Sequence, residues 1–342
     1  MVKWSLPMRA SLRAIGLAAI VWFGWMGSAR ADTCSATMTD VVFANVSPIA
    51  GADRYASGTL TVSCNFALLT GIPPMLLFPN ASVCVSLGVG SGGSAGQWRT
   101  MSGGTGRLPF NLYRDSSYAA ASVWGSPTMQ GNITPISLSL SAGLLSLGTQ
   151  SRSFTIYGKI PGNALAGVGT VNNADTAFAS DFSGEAIVNY AFWSGVAAPC
   201  TSGASTTVPF KVRATVVNDC VVNASNLAFG SSSVLTGAVR ATAALSVQCT
   251  ANNAYRIGLN GGNNGTVATR RMRNAATGET VQYTISGTLD GPSWGDGTLG
   301  TSMVSGTGSG AVQSVPLFGS VPKQTTPTPG DYKDTVTATV YF

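Results

Sequence analysis

Thr59-Leu-Thr-Val-Ser-Cys64 returns later in the chain as Ala244-Leu-Ser-Val-Gln-Cys249, and these two stretches decide the fold. In both, apolar side chains alternate with polar or small ones up to a cysteine, as in a β-strand with one buried face. A second cysteine precedes each stretch at nearly the same distance, Cys34 in the first case and Cys220 in the second. Self-similarity of this kind predicts two copies of one β-domain in tandem.

The repeat extends in both directions from these stretches. Upstream, Phe43 and Phe229 lie equally far beyond the first cysteine of each copy. Downstream, three motifs recur: Val85-Ser-Leu-Gly88 as Ile257-Gly-Leu-Asn260, Trp124-Gly-Ser as Trp294-Gly-Asp, and Ile156-Tyr-Gly-Lys-Ile-Pro161 as Leu317-Phe-Gly-Ser-Val-Pro322. Short alternating runs separated by turn residues predict an all-β fold of two tandem immunoglobulin-like Greek-key β-sandwiches.

The composition agrees with this fold class and excludes several functions. Among 342 residues, 44% are hydrophobic and 9% are charged, which suits two packed domains and excludes a disordered chain or a coiled coil. The sequence contains no histidine, so Ser/His/Asp triads, Cys/His dyads and histidine-bound metals are excluded. We therefore expect no enzyme activity, no metal site and no cofactor.

Two further motifs are interpreted as structural. Gly92-Gly-Ser-Ala-Gly96 has the spacing of a nucleophilic serine motif, but the serine has no histidine to act as its base. Arg270, Arg271 and Arg273 form a small basic cluster, which on a nearly neutral domain is usually a solvated face. We expect no nucleic-acid partner.

Residues 1–31 have the features of a secretory signal peptide. Three basic residues accompany an apolar stretch from Ala14 to Met26, which is too short to span a bilayer. The stretch runs into Ala29-Arg-Ala31, a small-x-small cleavage motif. We therefore expect a protein secreted through the periplasm to the cell surface.

Export predicts that all six cysteines are oxidised. Six cysteines allow fifteen connectivities, and the repeat reduces them. The copies assign two pairs of nearly equal spacing and leave a third pair: Cys34 with Cys64, Cys220 with Cys249, and Cys84 with Cys200.

Several motifs of the second half resemble one family. They are a cysteine pair, Trp294-Gly-Asp-Gly297, Phe318-Gly-Ser-Val-Pro322 and the terminal stretch from Asp331 to Phe342. Together they resemble the spore coat protein U domain family, which includes subunits of archaic chaperone-usher pili. The resemblance is looser from Cys34 to Trp193, and two-domain members of the family are tip adhesins.

The resemblance implies a pilus-tip adhesin that mediates attachment and biofilm formation. The implied partners are a periplasmic chaperone, an outer-membrane usher, the donor strand of an adjacent pilin, and a hydrophobic surface or host ligand. We expect residues 32–205 to form the adhesin domain, 206–218 to supply its seventh strand and the linker, and 219–342 to form the pilin domain.

Strand counting leads to the same role without the resemblance. The second domain reads as six strands, and without a seventh strand an immunoglobulin-type sandwich exposes an apolar groove that a donor must fill. The segment 207–217 has the pattern of such a donor, with five apolar residues on one face: Val208, Phe210, Val212, Ala214 and Val216. We expect it to complete the first domain. Because only Asp32 and Thr33 would precede Cys34 after cleavage, we expect a subunit that accepts a strand but donates none.

An apolar insertion in the first domain is the predicted adhesive surface. The interval between Cys64 and Cys84 is longer than its counterpart and contains an uncharged stretch from Ala67 to Asn80. Together with the longer interval around Trp124 and Met129, it is predicted to form apolar fingers at the distal end. The surface-binding residues are Ile72, Pro73, Met75, Leu76, Leu77, Phe78, Trp124 and Met129.

Three alternatives remain open at this stage. The stretch around Leu76 could be a buried strand of the core. The protein could be a lectin-like adhesin in which aromatic side chains stack on sugar rings, namely Trp98, Tyr113, Tyr118 and Trp124. It could also be a purely structural coat or pilus subunit.

Overall fold

The computed structural model describes residues 32–66, 79–125, 134–143 and 148–342. In this part of the chain the regular structure is β-strand, with three short 3-10 turns, so the predicted all-β fold class is confirmed. The predicted signal segment, residues 1–31, lies outside the described residues. Within the described ranges there is no helix of the length and hydropathy that a bilayer crossing requires.

The strands are, in chain order, β1 (Thr33–Met38), β2 (Val41–Val42), β3 (Arg54–Phe66), β4 (Asn80–Leu87), β5 (Ser94–Ala95), β6 (Trp98–Met101), β7 (Leu108–Tyr113), β8 (Ile136–Ser141), β9 (Gly148–Ile160), β10 (Thr176–Asp181), β11 (Ala186–Trp193), β12 (Ala204–Thr207), β13 (Lys211–Val216), β14 (Cys220–Ala224), β15 (Val239–Cys249), β16 (Ala254–Leu259), β17 (Arg270–Arg273), β18 (Thr280–Ser286), β19 (Val304–Thr307), β20 (Gln313–Val321) and β21 (Ala338–Tyr341). The 3-10 turns are Ala120–Ser122, Gly162–Ala164 and Cys200–Ser202.

The strands form separate sheets in each half of the chain. In the first half the strand orders are β1-β3-β9-β7-β6-β5, β10-β13-β2 and β12-β11-β4-β8. In the second half they are β14-β15-β20-β18-β17 and β19-β16-β21. Each half has its own hydrophobic core. The arrangement is consistent with two β-sandwich domains.

The alternation in β3 shows how the sequence builds these sheets. Leu60, Val62 and Cys64 are fully buried, whereas Thr59 is exposed and Thr61 is partly exposed. Successive side chains of a strand point to opposite faces, so this pattern places one face on the core and the other in solvent.

The two halves repeat each other in register as well as in sequence. Cys34 pairs with Cys64 across β1 and β3, and Cys220 pairs with Cys249 across β14 and β15. Disulfides join both pairs, and a third joins Cys84 to Cys200, so the predicted pairing is confirmed.

A buried tryptophan and a buried arginine recur in each half. The indole of Trp124 donates to the backbone oxygen of Val85 over 2.8 Å, and that of Trp294 donates to Ile257 over 2.7 Å. Arg99, at 0% exposure, has its counterpart in Arg270, at 1%. The interpretation of Arg270 as part of a solvated face is therefore wrong, because its guanidinium binds carbonyl oxygens inside the domain.

A buried polar network joins the two halves. Asn253 donates from Nδ2 to Thr170 Oγ1 over 2.5 Å and to Asn218 Oδ1 over 2.6 Å. Nearby, the Ser47 hydroxyl donates to Asp219 Oδ2 over 2.6 Å. Because buried amides and hydroxyls are costly without partners, this network favours one orientation of the two halves.

Candidate functional site

The segment predicted to resemble a donor strand fills a groove in the first half. Its strand β13 pairs antiparallel with β10 and parallel with β2, so it lies between them. All five predicted apolar residues are buried in the first core, none more than 3% exposed: Val208, Phe210, Val212, Ala214 and Val216.

Phe210 anchors this segment through aromatic stacking. Its ring lies parallel to that of Phe182, with centroids 4.8 Å apart, and parallel to that of Trp124, with centroids 6.2 Å apart. The three rings form one stack in the middle of the core, which fixes the segment along its length and depth.

In the second half, the groove position that corresponds to β13 contains no strand among the described residues. Two glycines show which residues of the two halves are equivalent. Gly158 lies so close to Val41 and Phe43 that a side chain there would contact them, and Gly319 lies similarly close to Leu227 and Phe229. In the first half β2 forms beside β13, whereas residues 226–230 belong to no strand. An apolar edge in the second half therefore lacks the neighbour that the first half supplies.

The other side of this unfilled position in the second half is lined by residues 332–340. From Tyr332 to Val340, partly buried and exposed residues alternate strictly, yet residues 334–337 belong to no strand. The inward-facing side chains are partly exposed, in contrast to the fully buried residues around β13: Leu227, Phe229, Tyr332, Val336, Ala338 and Val340. We call the region lined by these six residues the open groove.

One wall of the open groove is polar where the filled groove is aromatic. In the first half the rings of Phe110 and Phe182 meet edge to face, with centroids 6.4 Å apart. In the second half the Tyr283 hydroxyl donates to Asp334 Oδ2 over 2.7 Å. Burial, followed by the bond to Asp334, raises the pKa of Tyr283, so the phenol stays protonated at neutral pH.

Several strands of the first half end together at the side away from the linker. Asn80, which begins β4, pairs with Trp193 at the end of β11 and with Ser141 at the end of β8. In the other sheet, Phe66 at the end of β3 packs its ring against Phe192, with centroids 5.5 Å apart. We call this side of the domain the distal end.

An apolar connection is exposed at the distal end. Residues 194–203 connect β11 to β12, and within them the Val196 side chain is 89% exposed. The disulfide from Cys84 to Cys200 ties the base of this connection to β4. The connection therefore presents one exposed apolar side chain on a covalently braced loop.

Most of the predicted adhesive residues belong to two segments that the described ranges do not include. Those in the segment between β3 and β4, together with Met129, lie outside the described residues: Ile72, Pro73, Met75, Leu76, Leu77, Phe78 and Met129. The residues that flank the first segment, Phe66 and Asn80, lie at the distal end. Trp124 and Thr134, which flank Met129, are bridged to each other near the start of β8, away from that end.

Trp124 is a correction to the sequence-based site. The prediction placed it on the adhesive surface, but its side chain is 0% exposed and its indole binds a backbone oxygen in the core. Its recurrence as Trp294 was the signal for a core position, since both copies of a repeat retain their packing residues.

Among the residues of the lectin-like alternative, Trp124 is buried in the core, whereas the other three lie on or beside one sheet. Tyr113 and Tyr118 come together, with ring centroids 5.4 Å apart. Trp98 is partly exposed and precedes the buried Arg99, so it points to the outer face of the same sheet. The sequence analysis missed Tyr55 and Tyr157, which also contact Tyr118.

Comparisons with known families agree with the internal repeat. The profile of the Spore Coat Protein U domain matches the chain twice, at residues 26–177 and 206–339. No curated protein gives a significant match.

Three solved structures are similar to the chain at low sequence identity. One is the chaperone-tip adhesion subunit pre-assembly complex CsuC-CsuE from archaic chaperone-usher Csu pili of Acinetobacter baumannii, with 15% identity, a TM-score of 0.49, and coverage of 91% of this chain and 100% of that one. Another is the CupB6 tip adhesin from Pseudomonas aeruginosa, with 12% identity, a TM-score of 0.37, and coverage of 90% and 93%. A chaperone-tip adhesin complex of CFA/I fimbriae gives 12% identity, a TM-score of 0.30, and coverage of 89% and 94%.

Proposed function

The chain belongs to the Spore Coat Protein U domain family, and from this premise we propose that it is the tip adhesin of a chaperone-usher pilus. In this proposal the second half accepts a donor strand from the next pilin in its open groove. The distal end of the first half attaches the fibre to apolar surfaces and thereby supports biofilm formation. A periplasmic chaperone and an outer-membrane usher deliver the subunit to the cell surface.

The observation that carries the groove proposal is the contrast between the two halves. Within the described residues the same groove occurs twice, once filled by β13 and once with no strand between Leu227 and Val336. A donor that buries about four apolar side chains at about 1.5–3 kcal/mol each gains roughly 6–12 kcal/mol before entropic costs. This is enough to hold subunits together.

The test of strand acceptance uses the sequence that already fills the first groove. A synthetic peptide with residues 207–217 is added to the purified chain, and amide hydrogen exchange is measured at residues 226–230 and 334–337. We expect protection of both segments and a higher melting temperature of the second half. A matched peptide with serine at the positions of Phe210 and Val212 is the control. Equal exchange with either peptide contradicts the proposal.

The adhesive proposal is supported by the exposed Val196 at the distal end and by the apolar sequence that joins β3 to β4 there. A triple variant, Leu76→Ser, Leu77→Ser and Val196→Ser, is expected to lose attachment to polystyrene while it still accepts the donor peptide. Val221→Ser is the matched control, because Val221 is also an exposed valine but lies on β14 in the second half. Unchanged attachment of the triple variant rules out the distal end as the adhesive surface. If the triple variant fails to fold, the stretch around Leu76 belongs to the core.

A further inference from the structure

The outer face of β1, β3 and β9 carries rows of hydroxyl groups. The paired positions across these strands form three rows: Ser35 beside Ser63 beside Ser151, Thr37 beside Thr61 beside Ser153, and Thr59 beside Thr155. Within the rows, Ser63 and Ser151 share a hydrogen bond of 2.7 Å, and Thr61 and Ser153 share one of 2.9 Å. The result is an uncharged array of short polar side chains.

Aromatic rings continue this array toward the start of β3. Tyr118 packs over Tyr55 and Tyr157, with ring centroids 4.7 Å and 6.2 Å away, and Tyr55 remains 53% exposed. The backbone of Tyr118 has a φ of 53°, which is uncommon for a residue with a side chain. Packing against the neighbouring rings therefore holds Tyr118 in a costly conformation.

An ion pair lies at the edge of the aromatic cluster. Lys159 Nζ lies 2.7 Å from Asp53 Oδ2, and the Tyr55 hydroxyl donates to the same oxygen over 3.2 Å. The bond from Lys159 is the largest cause that lowers the pKa of Asp53, so the carboxylate is ionised and neutralised in place. This edge offers several donors and acceptors with little net charge.

The second half shows that the fold does not require this surface. At the equivalent strand positions, Thr59 and Thr155 are replaced by Ala244 and Pro316, which pair with each other across β15 and β20. Tyr55 is replaced by Arg240. Two sheets with the same register thus differ at these positions of their outer faces. One hydroxyl pair recurs in the second half as Ser246 beside Ser314, but without the neighbouring threonine pair and Tyr55.

From these observations we propose that the outer face of β1, β3 and β9 is a binding site for a neutral polysaccharide. A sugar ring has an apolar face that packs on tyrosine rings and hydroxyl groups that exchange hydrogen bonds with serine and threonine. From Ser63 to Tyr55 the array spans four steps of two residues, about 27 Å, which fits an extended chain better than a single sugar. The paired charges of Asp53 and Lys159 argue against an acidic polymer.

The aromatic part of this site lies away from the apolar distal end, whereas the row of Ser63 and Ser151 approaches that end. Tyr55 and Lys159 lie near the start of β3 and the end of β9, whereas the distal end lies where β3 ends and β9 starts. Loss of plastic attachment and loss of polysaccharide binding are therefore separable, and either proposal can fail alone.

The test is affinity gel electrophoresis of the purified chain through gels that contain dextran, hydroxyethylcellulose or galactomannan, with alginate as an acidic polymer. We expect at least one neutral polymer to retard the chain. The double variant Tyr55→Ala and Tyr157→Ala is expected to raise the dissociation constant about tenfold or more, because two ring contacts are lost.

Two further variants keep the test independent of stability. The double variant Thr61→Ala and Ser153→Ala, which removes a hydroxyl pair of the first half, is expected to weaken the retardation of the chain by the polymer. Ser246→Ala with Ser314→Ala makes the matching change at the paired positions of the second half and is expected to leave it unchanged. The proposal is overturned if no neutral polymer retards the chain, if only alginate does so, or if the first-half variants migrate as the unmodified chain does.

Discussion

Arg99 donates a hydrogen bond from Nη2 to the backbone oxygen of Trp124 over 2.7 Å, deep inside the first half. The same guanidinium also donates to the oxygens of Leu87 and Gly88, at the end of β4. Burial lowers the pKa of Arg99 to about 9, so it remains charged at neutral pH. Its planar fork thus supplies partners for carbonyl groups that the strands leave free.

Replacement of this arginine is expected to destabilise its own half. Arg99→Met leaves several buried carbonyl groups without donors, each worth about 1–3 kcal/mol, so we expect a loss of about 3 kcal/mol or more in the unfolding free energy. Arg270→Met is expected to do the same in the second half, and Arg271→Met, which changes an exposed neighbour, to have little effect. Urea denaturation measures the unfolding free energies of the three variants. Similar stabilities of the Arg270 and Arg271 variants would contradict the assignment.

Truncation of the Phe210 ring, which lies just before β13, is expected to lower the stability of the first half. Phe210→Ala removes a buried ring between Trp124 and Phe182, which typically costs about 3–5 kcal/mol. Val42→Ala on the adjacent strand is the control, because Val42 is exposed. Thermal unfolding compares the two variants, and only Phe210→Ala is expected to lower the melting temperature clearly. Equal melting temperatures would show that the ring stack contributes little.

The three disulfides are expected to contribute unequally. In the chain-entropy model, the bridge from Cys84 to Cys200, with a separation of 116 residues, stabilises the fold by about 5 kcal/mol. The bridge from Cys34 to Cys64, with a separation of 30, contributes about 3.6 kcal/mol. Serine pairs at each bridge, compared by denaturant unfolding, test this order. Limited proteolysis near Val196 is expected to accelerate only when the longer bridge is removed.

The stability of the protein is expected to be flat across neutral pH and to fall in acid. No histidine is present to titrate between pH 5 and 8. Hydrogen bonds from Ser183, and then from Lys211, lower the pKa of Asp181 from 3.8 to about 2. A carboxyl with a lowered pKa in the folded state stabilises the fold above pH 3.8, and this contribution is lost as the pH falls toward 2.

Melting temperatures from pH 8 to pH 2 check this expectation. Asp181→Asn is expected to reduce the slope below pH 4 and to leave the plateau unchanged in shape. A transition near pH 6.5 would point to a titrating group that the sequence does not contain.

The fold was largely predictable because its determinants are local or repeated. Strand alternation identified the donor-type segment around Phe210, and the nearly equal spacing in the two copies identified the partners of Cys34 and Cys220. Both signals are independent of how distant strands pair.

The sites were harder to predict because they depend on register between distant strands. A charged residue such as Arg99 indicates an exposed position in a strand, and only the fold shows that free carbonyls surround it. Tyr55 and Tyr157 are far apart in sequence and come together only because Ser57 pairs with Tyr157 across β3 and β9. Trp124 was misplaced because a Trp-Gly-Ser stretch has the composition of a loop.

The placement of β13 between two neighbours has a mechanical consequence. Tension between the two halves would enter β13 at Val216, which pairs with Thr176 on one side and is bridged to Val46 on the other. The pull would act along the strand, whereas the ladder bonds on both sides run across it. Those bonds would bear the load together in shear instead of opening one at a time, so the first half is built to resist extraction of β13 by force.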